Sequence, residues 1–219
     1  MPNIFFTSFK TFNSNYGVIF CNFEVNSTQG NIILPDSKNQ PSKLYFLNLF
    51  TQDFEVNQEF VCNDNQELII VNLILSENNF DNIKNCTLNQ KIIVNNPSCV
   101  VRHITLGIQS NESNWNLIPR VYIESRADNS NILQLIKVIK LDPKSKLNCN
   151  PILQINCPEV VAKHGVANSN FDSDSINLLS SRGFNNIQIK KILSRAFLEE
   201  NLGFLELCVK NALLKELGI

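Results

Sequence analysis

The chain has 219 residues, 43% of them hydrophobic, with a formal net charge of -1 and a pI near 6.1. A hydrophobic fraction of this size is enough for one substantial core, or for a core with a small appended unit. The near-neutral net charge argues against an electrostatic footprint for nucleic acid or for an anionic membrane surface.

The terminus and the cysteines bear on the cellular compartment. The first residues, MPNIFFTSFKTF, lack the basic start and continuous apolar stretch of a secretory signal. The longest apolar segments, 44–50 and 68–75, are too short to span a membrane and are interrupted by Asn48 and Asn72. The seven cysteines are odd in number and include no CxxC pair, so they predict neither a disulfide framework nor a self-contained zinc site. We therefore expect a reducing compartment.

From about Tyr16 to Ile155, short runs rich in Ile, Val, Phe and Leu alternate with polar turns, a pattern that predicts strands. The predicted strands are GVIFCNFEV, GNIILP, KLYFLNLF, ELIIVNLIL, QKIIVNN, CVVRHITLGI, RVYIES, LQLIKVIKL and PILQIN. Their spacing is irregular, so the pattern alone leaves open a β-sandwich and a parallel β-helix.

After Pro158 the pattern becomes helical. Asp172 is predicted to cap a short helix that ends at Gly183, and a second helix begins at Asn185 or Asn186. Two apolar stripes at helical spacing follow: Ile189, Ile192, Leu193, Ala196 and Phe197, then Leu205, Cys208, Val209, Ala212, Leu213 and Leu217. We therefore predict a mainly β core over residues 1–160 and a small helical domain over 161–219. The stripes need a partner surface, either the β body or another protein.

The most distinctive segment is residues 163–183, KHGVANSNFDSDSINLLSSRG, followed by IKKILSRAFLEE. It places a histidine–glycine turn, an acidic pair before a short helix, an S-R-G stop and an amphipathic helix in succession. This order resembles the C-terminal signature of the SufB/SufD family, the scaffold proteins of SUF iron–sulfur cluster assembly. Residues 125–156 resemble the last β-helix coils of that family. The His164–Gly165 pair is closer to SufD, because SufB-like chains tend to carry H-E there and a ligand cysteine one coil earlier.

The resemblance implies a right-handed parallel β-helix with a small C-terminal α-helical domain. It further implies pairing with a SufB-like chain through the β-helices and docking of the SufC-like ATPase on the C-terminal helices. His164 is the candidate cluster ligand at the partner interface, and Arg182, Gly183, Lys190 and Phe197 are the candidate partner-binding residues. We expect no stably bound cofactor, but a transient iron–sulfur cluster shared with a partner. A bacterial cytoplasm or a plastid stroma is the expected location.

The chain departs from the family in two ways. It is much shorter than usual, and Ala162 stands where family members often have a cysteine two residues before the histidine. Two alternatives therefore stay open: a degenerate structural member without cluster contact, and a β-helix carbohydrate-active enzyme. The enzyme would need clustered acidic and basic residues on one ladder face, which the sequence does not show. No GxxxxGK[ST] or GxGxxG motif is present, so ATP hydrolysis is assigned to a partner and the chain is predicted to be non-catalytic.

The single candidate residues also have structural interpretations. His164 is either a ligand or a structural histidine at the sheet–helix junction. His103, in an alternating strand, is predicted to be a core or ladder histidine. Cys149 and Cys157 could stack near His164 as metal ligands, although buried thiols are common in β interiors. Asp172 and Asp174 are predicted to stabilise a helix N-terminus rather than to form an acid/base pair.

Overall fold

The computed structural model describes residues 6–13, 16–23, 28–29, 43–62, 64–75, 83–110, 112–141 and 144–216. The strands in these ranges are β1 (Phe6–Asn13), β2 (Tyr16–Phe23), β3 (Thr28–Gln29), β4 (Lys43–Phe50), β5 (Phe54–Cys62), β6 (Glu67–Ile74), β7 (Asn85–Val94), β8 (Val100–Gln109), β9 (Asn114–Ile123), β10 (Ser130–Lys140), β11 (Lys146–Cys149), β12 (Ile152–Ile155) and β13 (Val160–Asn170). Three helices follow: α1 (Ser173–Ser181), α2 (Asn186–Asn201) and α3 (Leu207–Glu216).

The strands form two sheets between which the chain alternates. The first sheet has the order β1-β2-β4-β6-β8-β10-β13, and the second has the order β11-β9-β7-β5-β3, with β12 also paired to β9. All described pairings are parallel except that of β1 with β2. One coil advances the chain by 33 residues from Glu67 to Val100 and by 31 from Val100 to Asn131. The fold is therefore a parallel β-solenoid with C-terminal helices. This confirms the predicted fold class and excludes the antiparallel sandwich.

One corner of the solenoid is built on a stack of left-handed residues. Asn65, Ser98 and Asn129 have φ angles of 54°, 55° and 58°. Asparagine tolerates this conformation better than most residues other than glycine. Each corner donates a backbone hydrogen bond to the next coil, from the amides of residues 65, 98 and 129 to the carbonyls of residues 97, 128 and 159 at 3.3, 2.8 and 2.7 Å. Asn65, Ser98 and Asn129 thus have a defined structural role, which is to form the turns of this corner.

Two apolar clusters hold the fold together. The first fills the space between the sheets and includes Phe46, Phe60 and Trp115. The second lies between the outer face of the first sheet and the helices, and contains Leu106 of β8 with Leu198 of α2 and Val209 of α3. Because side chains alternate along a strand, β8 serves both clusters and is buried on both faces. Apolar side chains of α2 and α3 thus pack against the β body, which is one of the two partner surfaces predicted for the helical stripes.

The helix boundaries follow the predicted capping residues. The Asp172 carboxylate accepts the Ser175 backbone amide at 3.0 Å and begins α1. Gly183, with φ +88°, ends α1, and the Phe184 amide reaches back to the Leu179 carbonyl at 3.2 Å, as in a Schellman motif. Asn185 begins α2 with a reciprocal capping box to Gln188. These boundaries confirm the predictions for the first two helices. The predicted strand at residues 30–35 and the stripe residue Leu217 lie outside the described residues.

The last strand, β13, was not predicted from the sequence and includes residues that were interpreted as a turn. Residues 163–165, interpreted as a turn at the sheet–helix junction, lie in the middle of β13, which pairs continuously with β10 from Val160 to Asn170. The passage from sheet to helix therefore falls after Asn170, within the segment assigned to the helical domain. Strands β1, β3, β5 and β11 were not predicted either. None of the helices in the described ranges is long and apolar enough to cross a membrane.

Candidate functional site

The end of the solenoid formed by the last coil leaves two strand edges exposed. β13 is the terminal strand of the first sheet and pairs with β10, and β12 pairs with β9 in the second sheet. In the part of the chain that the structure describes, no strand pairs with the other edge of β13. The unpaired N–H and C=O groups of such an edge are a template for a strand of another chain.

Large apolar side chains are exposed at the same end. Ile155 of β12 is 47% exposed, and Val161 and Val166 of β13 are 56% and 44% exposed. Exposed apolar groups beside an unpaired edge are typical of an interaction surface. We call β12, β13 and these three side chains the open edge.

His164 lies on the open edge. It is exposed and is the register partner of Gln134 on β10, which is itself the register partner of His103 on β8. Ala162, two residues earlier and hence on the same face of the strand, packs against the interior core. His164 therefore lies on the inward-facing side of the last strand, where the solenoid interior meets solvent. A neutral imidazole in this position can ligate iron.

The two cysteines considered near His164 have other surroundings. Cys157 donates its thiol to the Asp128 carboxylate, Sγ to Oδ1 2.9 Å, and this bond raises the pKa of Cys157. Cys149 lies in the second sheet, packs against the interior core, and has its pKa raised to about 11 by burial. Both pKa directions favour the thiol over the thiolate that binds metals.

No three His, Cys, Asp or Glu side chains among the described residues are gathered so that they could hold a metal ion. The structure therefore does not bring His164, Cys149 and Cys157 together as a three-ligand site. A cluster bound at His164 would need further ligands, because one imidazole cannot hold a cluster.

His103 is a core histidine, as predicted. It is 1% exposed, and its Nε2 lies 2.7 Å from Gln90 Oε1 and 3.2 Å from Asn72 Nδ2. Burial lowers the pKa of His103 to about 4, so the imidazole is neutral at physiological pH. Such a residue fixes the interior of a coil and is not available to a partner.

The interior also contains a polar ladder that the sequence did not reveal. Asn48 donates to Asn72 at 2.7 Å, Asn72 donates to Gln90 at 2.7 Å, and Gln90 donates to Gln58 at 2.6 Å. Asn72 further contacts Thr105 Oγ1 at 3.0 Å. The sequence signal for this ladder was the pair Asn48 and Asn72, which were interpreted only as interruptions of apolar runs. In the structure, Asn48 and Asn72 are register partners on β4 and β6.

The helices carry a second group of exposed apolar side chains, which we call the helix surface. It is formed by Leu178 of α1, Phe184 of the connecting turn, and Ile187 and Ile192 of α2, which are 54%, 39%, 56% and 38% exposed. α1 buries none of its residues. The candidate partner-binding residues Arg182 and Gly183 end α1 beside this surface and are exposed.

Two other candidate partner-binding residues lie on α2. Lys190 is partly exposed. Phe197 is partly buried and packs against the cluster on the outer face of the first sheet. Phe197 therefore contributes to holding α2 on the solenoid, and Lys190 is the better placed of the two to meet a partner.

The family model for the SUF system FeS cluster assembly, SufBD core domain, matches residues 73–197 of this chain. The matched segment runs from the end of β6 into α2 and covers more than half of the sequence. The chain belongs to the SufBD family. This SufBD-family chain is also 32% identical over 83 residues to an iron–sulfur cluster assembly SufBD family protein of Synechocystis sp.. That alignment covers 38% of the present chain and 18% of the relative.

Proposed function

We propose that this SufBD-family chain is a SufD-like, non-catalytic scaffold subunit of the SUF iron–sulfur cluster assembly complex. It pairs with a SufB-like chain at the open edge and binds a SufC-like ATPase at the helix surface. The observation that carries the proposal is the unpaired edge of β13, on which an exposed His164 lies between exposed Val161 and Val166.

The open edge fits a partner that supplies a β-strand. Backbone hydrogen bonds to β13 would give such a contact its register, and burial of Val161, Val166 and Ile155 would give it apolar area. A SufB-like solenoid presents strands of matching spacing, so it can continue either sheet past the open edge. Pairing would cover an edge that is otherwise an aggregation risk.

The helix surface fits a second partner. Its apolar side chains belong to α1, α2 and the turn between them, whereas those of the open edge belong to β12 and β13, and we therefore assign the two surfaces to different partners. We assign this surface to a SufC-like ATPase, because the chain has no phosphate-binding motif of its own. Closure of two ATPase subunits would then strain the paired solenoids and open the interface around His164.

The chemistry proposed for His164 is transient ligation of cluster cargo. An imidazole in place of a thiolate raises the reduction potential of a cluster. We propose that it also holds the cluster less tightly, as a scaffold that must release its product requires. The proposed role implies a reducing compartment, a bacterial cytoplasm or a plastid stroma. The five cysteines with described side chains, Cys62, Cys86, Cys99, Cys149 and Cys157, are thiols, which supports this.

The cluster role is tested by reconstitution with iron and sulfide on the co-purified complex. His164→Ala should lower the cluster yield several-fold, measured by visible absorbance and by bound iron. Lys163→Ala is the matched control, because Lys163 is the exposed neighbour on the opposite face of β13. An intact complex with an unchanged yield for His164→Ala would refute cluster ligation and favour the purely structural family member.

The two surfaces are tested separately by charge insertion. Val166→Lys should weaken pairing with the SufB-like chain while binding of the SufC-like chain is kept. Leu178→Lys should have the opposite effect. Both residues are exposed, so neither change should lower the melting temperature of the isolated chain by more than a few degrees. Loss of both partners, or of neither, in both variants would contradict the assignment of one surface to each partner.

A further inference from the structure

Two cysteines of successive coils lie together beneath the corner that contains the left-handed residues. Cys62 ends β5, and Cys99 directly precedes β8. Both are fully buried. The Cys62 thiol lies 3.5 Å from the Gln66 carbonyl oxygen, and the Cys99 thiol lies 3.3 Å from the Asn96 carbonyl oxygen.

Backbone and side-chain bonds fix the two corners against each other. The Asn96 side-chain amide donates to the Cys62 carbonyl at 3.2 Å, while the Asn96 carbonyl accepts the Cys99 thiol. The Gln66 carbonyl accepts both the Cys62 thiol and the Val100 backbone amide, the latter at 2.9 Å. Gln66 thus contacts the Cys62 sulfur and Asn96 contacts the Cys99 sulfur, and each of these two residues also bonds to the backbone of the other corner.

The two sulfur atoms are also close enough for the Cys62 thiol to donate to Cys99 when Cys99 is a thiolate. That bond lowers the pKa of Cys99 and raises the pKa of Cys62. Cys99 is therefore the better nucleophile of the pair. No second thiol among the described side chains affects the pKa of Cys86, which burial raises well above its ordinary value.

The pair is buried, yet it lies just below the surface. The turn residues Asp64 and Asn65 on one side, and Pro97 and Ser98 on the other, are exposed. Opening of one corner turn would expose the sulfurs to a small uncharged oxidant without unfolding of the solenoid.

We propose that Cys62 and Cys99 form a redox-active thiol pair, which hydrogen peroxide converts into a disulfide that ties two successive coils together. Cys99 sulfur attacks one peroxide oxygen, the O–O bond breaks, and the departing oxygen leaves as water with the thiol proton. Cys62 sulfur then displaces the hydroxyl group of the Cys99 sulfenic acid, and the second water carries away the Cys62 proton. Each sulfur loses one electron and each peroxide oxygen gains one.

The modification changes the stability of the solenoid. The bond closes a loop from residue 62 to residue 99 and limits separation of the coil containing β5 from that containing β8. Cross-linking of a loop of this length should raise the melting temperature by on the order of 10 °C. A dithiol reductant reverses the change by thiol–disulfide exchange. This inference does not depend on the proposed assembly role.

The test uses the full chain and peptide mapping. Trypsin leaves Cys62 alone in peptide 44–84, Cys99 alone in peptide 92–102 and Cys86 alone in peptide 85–91. After treatment with hydrogen peroxide and alkylation of the remaining thiols, we expect peptides 44–84 and 92–102 to appear cross-linked and two hydrogens lighter. Peptide 85–91 should stay in its alkylated form. A dithiol reductant should restore both separate peptides.

Matched variants separate the pair from a general sensitivity to oxidant. Cys99→Ala should abolish the peroxide-induced rise in melting temperature, and Cys86→Ala should keep it. If Cys99→Ala does not fold, the peptide map of the unmodified chain decides alone. Oxidation of Cys62 and Cys99 to sulfinic acids without a cross-link would overturn the proposal, as would alkylation of both thiols at peroxide doses that consume the other cysteines.

Discussion

Gln134 and His164 are register partners on adjacent strands, yet Gln134 is fully buried and His164 is exposed. Adjacent strands lie about 4.8 Å apart, so the solenoid interior reaches solvent within one strand spacing. Neither side-chain polar atom of Gln134 has a hydrogen-bond partner among the described residues. The interior at this end is therefore polar but incompletely paired, whereas Gln90 of β7, farther from the open edge, is fully bonded.

This difference predicts opposite responses to the same substitution. Gln134→Leu removes a buried amide that has no partner, so the free energy of unfolding should stay within about 1 kcal/mol of the parent or rise. Gln90→Leu removes the hydrogen bonds that Gln90 makes with Gln58, Asn72 and His103, and should cost roughly 3 kcal/mol or more. Urea denaturation followed by circular dichroism measures both. A loss for Gln134→Leu as large as that for Gln90→Leu would show that Gln134 has a partner, such as an ordered water.

Stability should fall as the pH drops, because His103 is buried as the neutral imidazole. Its pKa is about 4 in the folded chain, against about 6.5 when unfolded, so between these values the unfolded state binds the extra proton. The contribution of the neutral His103 to the free energy of unfolding is fully present above pH 6.5. It is lost as the pH falls toward 4, a change on the order of 3 kcal/mol. Unfolding curves at several pH values measure it.

Two variants isolate this titration from that of the carboxylates. His103→Gln keeps a hydrogen-bonding side chain in the ladder and should remove most of the slope between pH 6.5 and 4. His164→Gln replaces an exposed histidine and should leave the slope in place. Equal slopes in the parent and in His103→Gln would mean that His103 does not control the pH dependence.

Packing around the single tryptophan, Trp115, should make substitution of Gly107 destabilising. A Cβ atom at Gly107 would lie 2.6 Å from Trp115 Cζ3, and Trp115 is fully buried. Gly107→Ala should therefore lower the free energy of unfolding by about 1–3 kcal/mol. At Gly165 the nearest atom is Leu135 Cδ1 at 3.6 Å, an ordinary contact, so Gly165→Ala should be close to neutral. Equal melting temperatures for the two variants would contradict this packing.

The sequence predicted strands that are buried on both faces, such as β8, and strands with polar alternation, such as β9 and β10, but missed β5 and β13. β8 was predicted because Ile104, Leu106 and Ile108 recur at every second position of a run rich in Ile and Val. β5 and β13 were missed because charged or polar residues alternate with the apolar ones, and in β13 Lys163–Gly165 has the composition of a turn. The β13 ladder to β10 outweighs that local preference.

The parallel arrangement and the interior ladder could not be predicted from local pattern. Which strands pair depends on contacts about 32 residues apart, and the irregular run lengths hid that period. Asn72 lies in an apolar strand, and its suitability there depends on Asn48, Gln90 and Thr105, which belong to other coils. The caps at Asp172 and Asn185 were predictable, because their partners lie three residues away.

Co-purification tests the assembly role most directly. The chain should be co-expressed with SufB-like and SufC-like proteins from the same source, and the mass and ratio of the purified species measured by light scattering and quantitative mass spectrometry. The account predicts a stable complex containing all three proteins, with one copy of this chain for each SufB-like chain. A folded chain that elutes alone, with neither partner, would contradict the scaffold role.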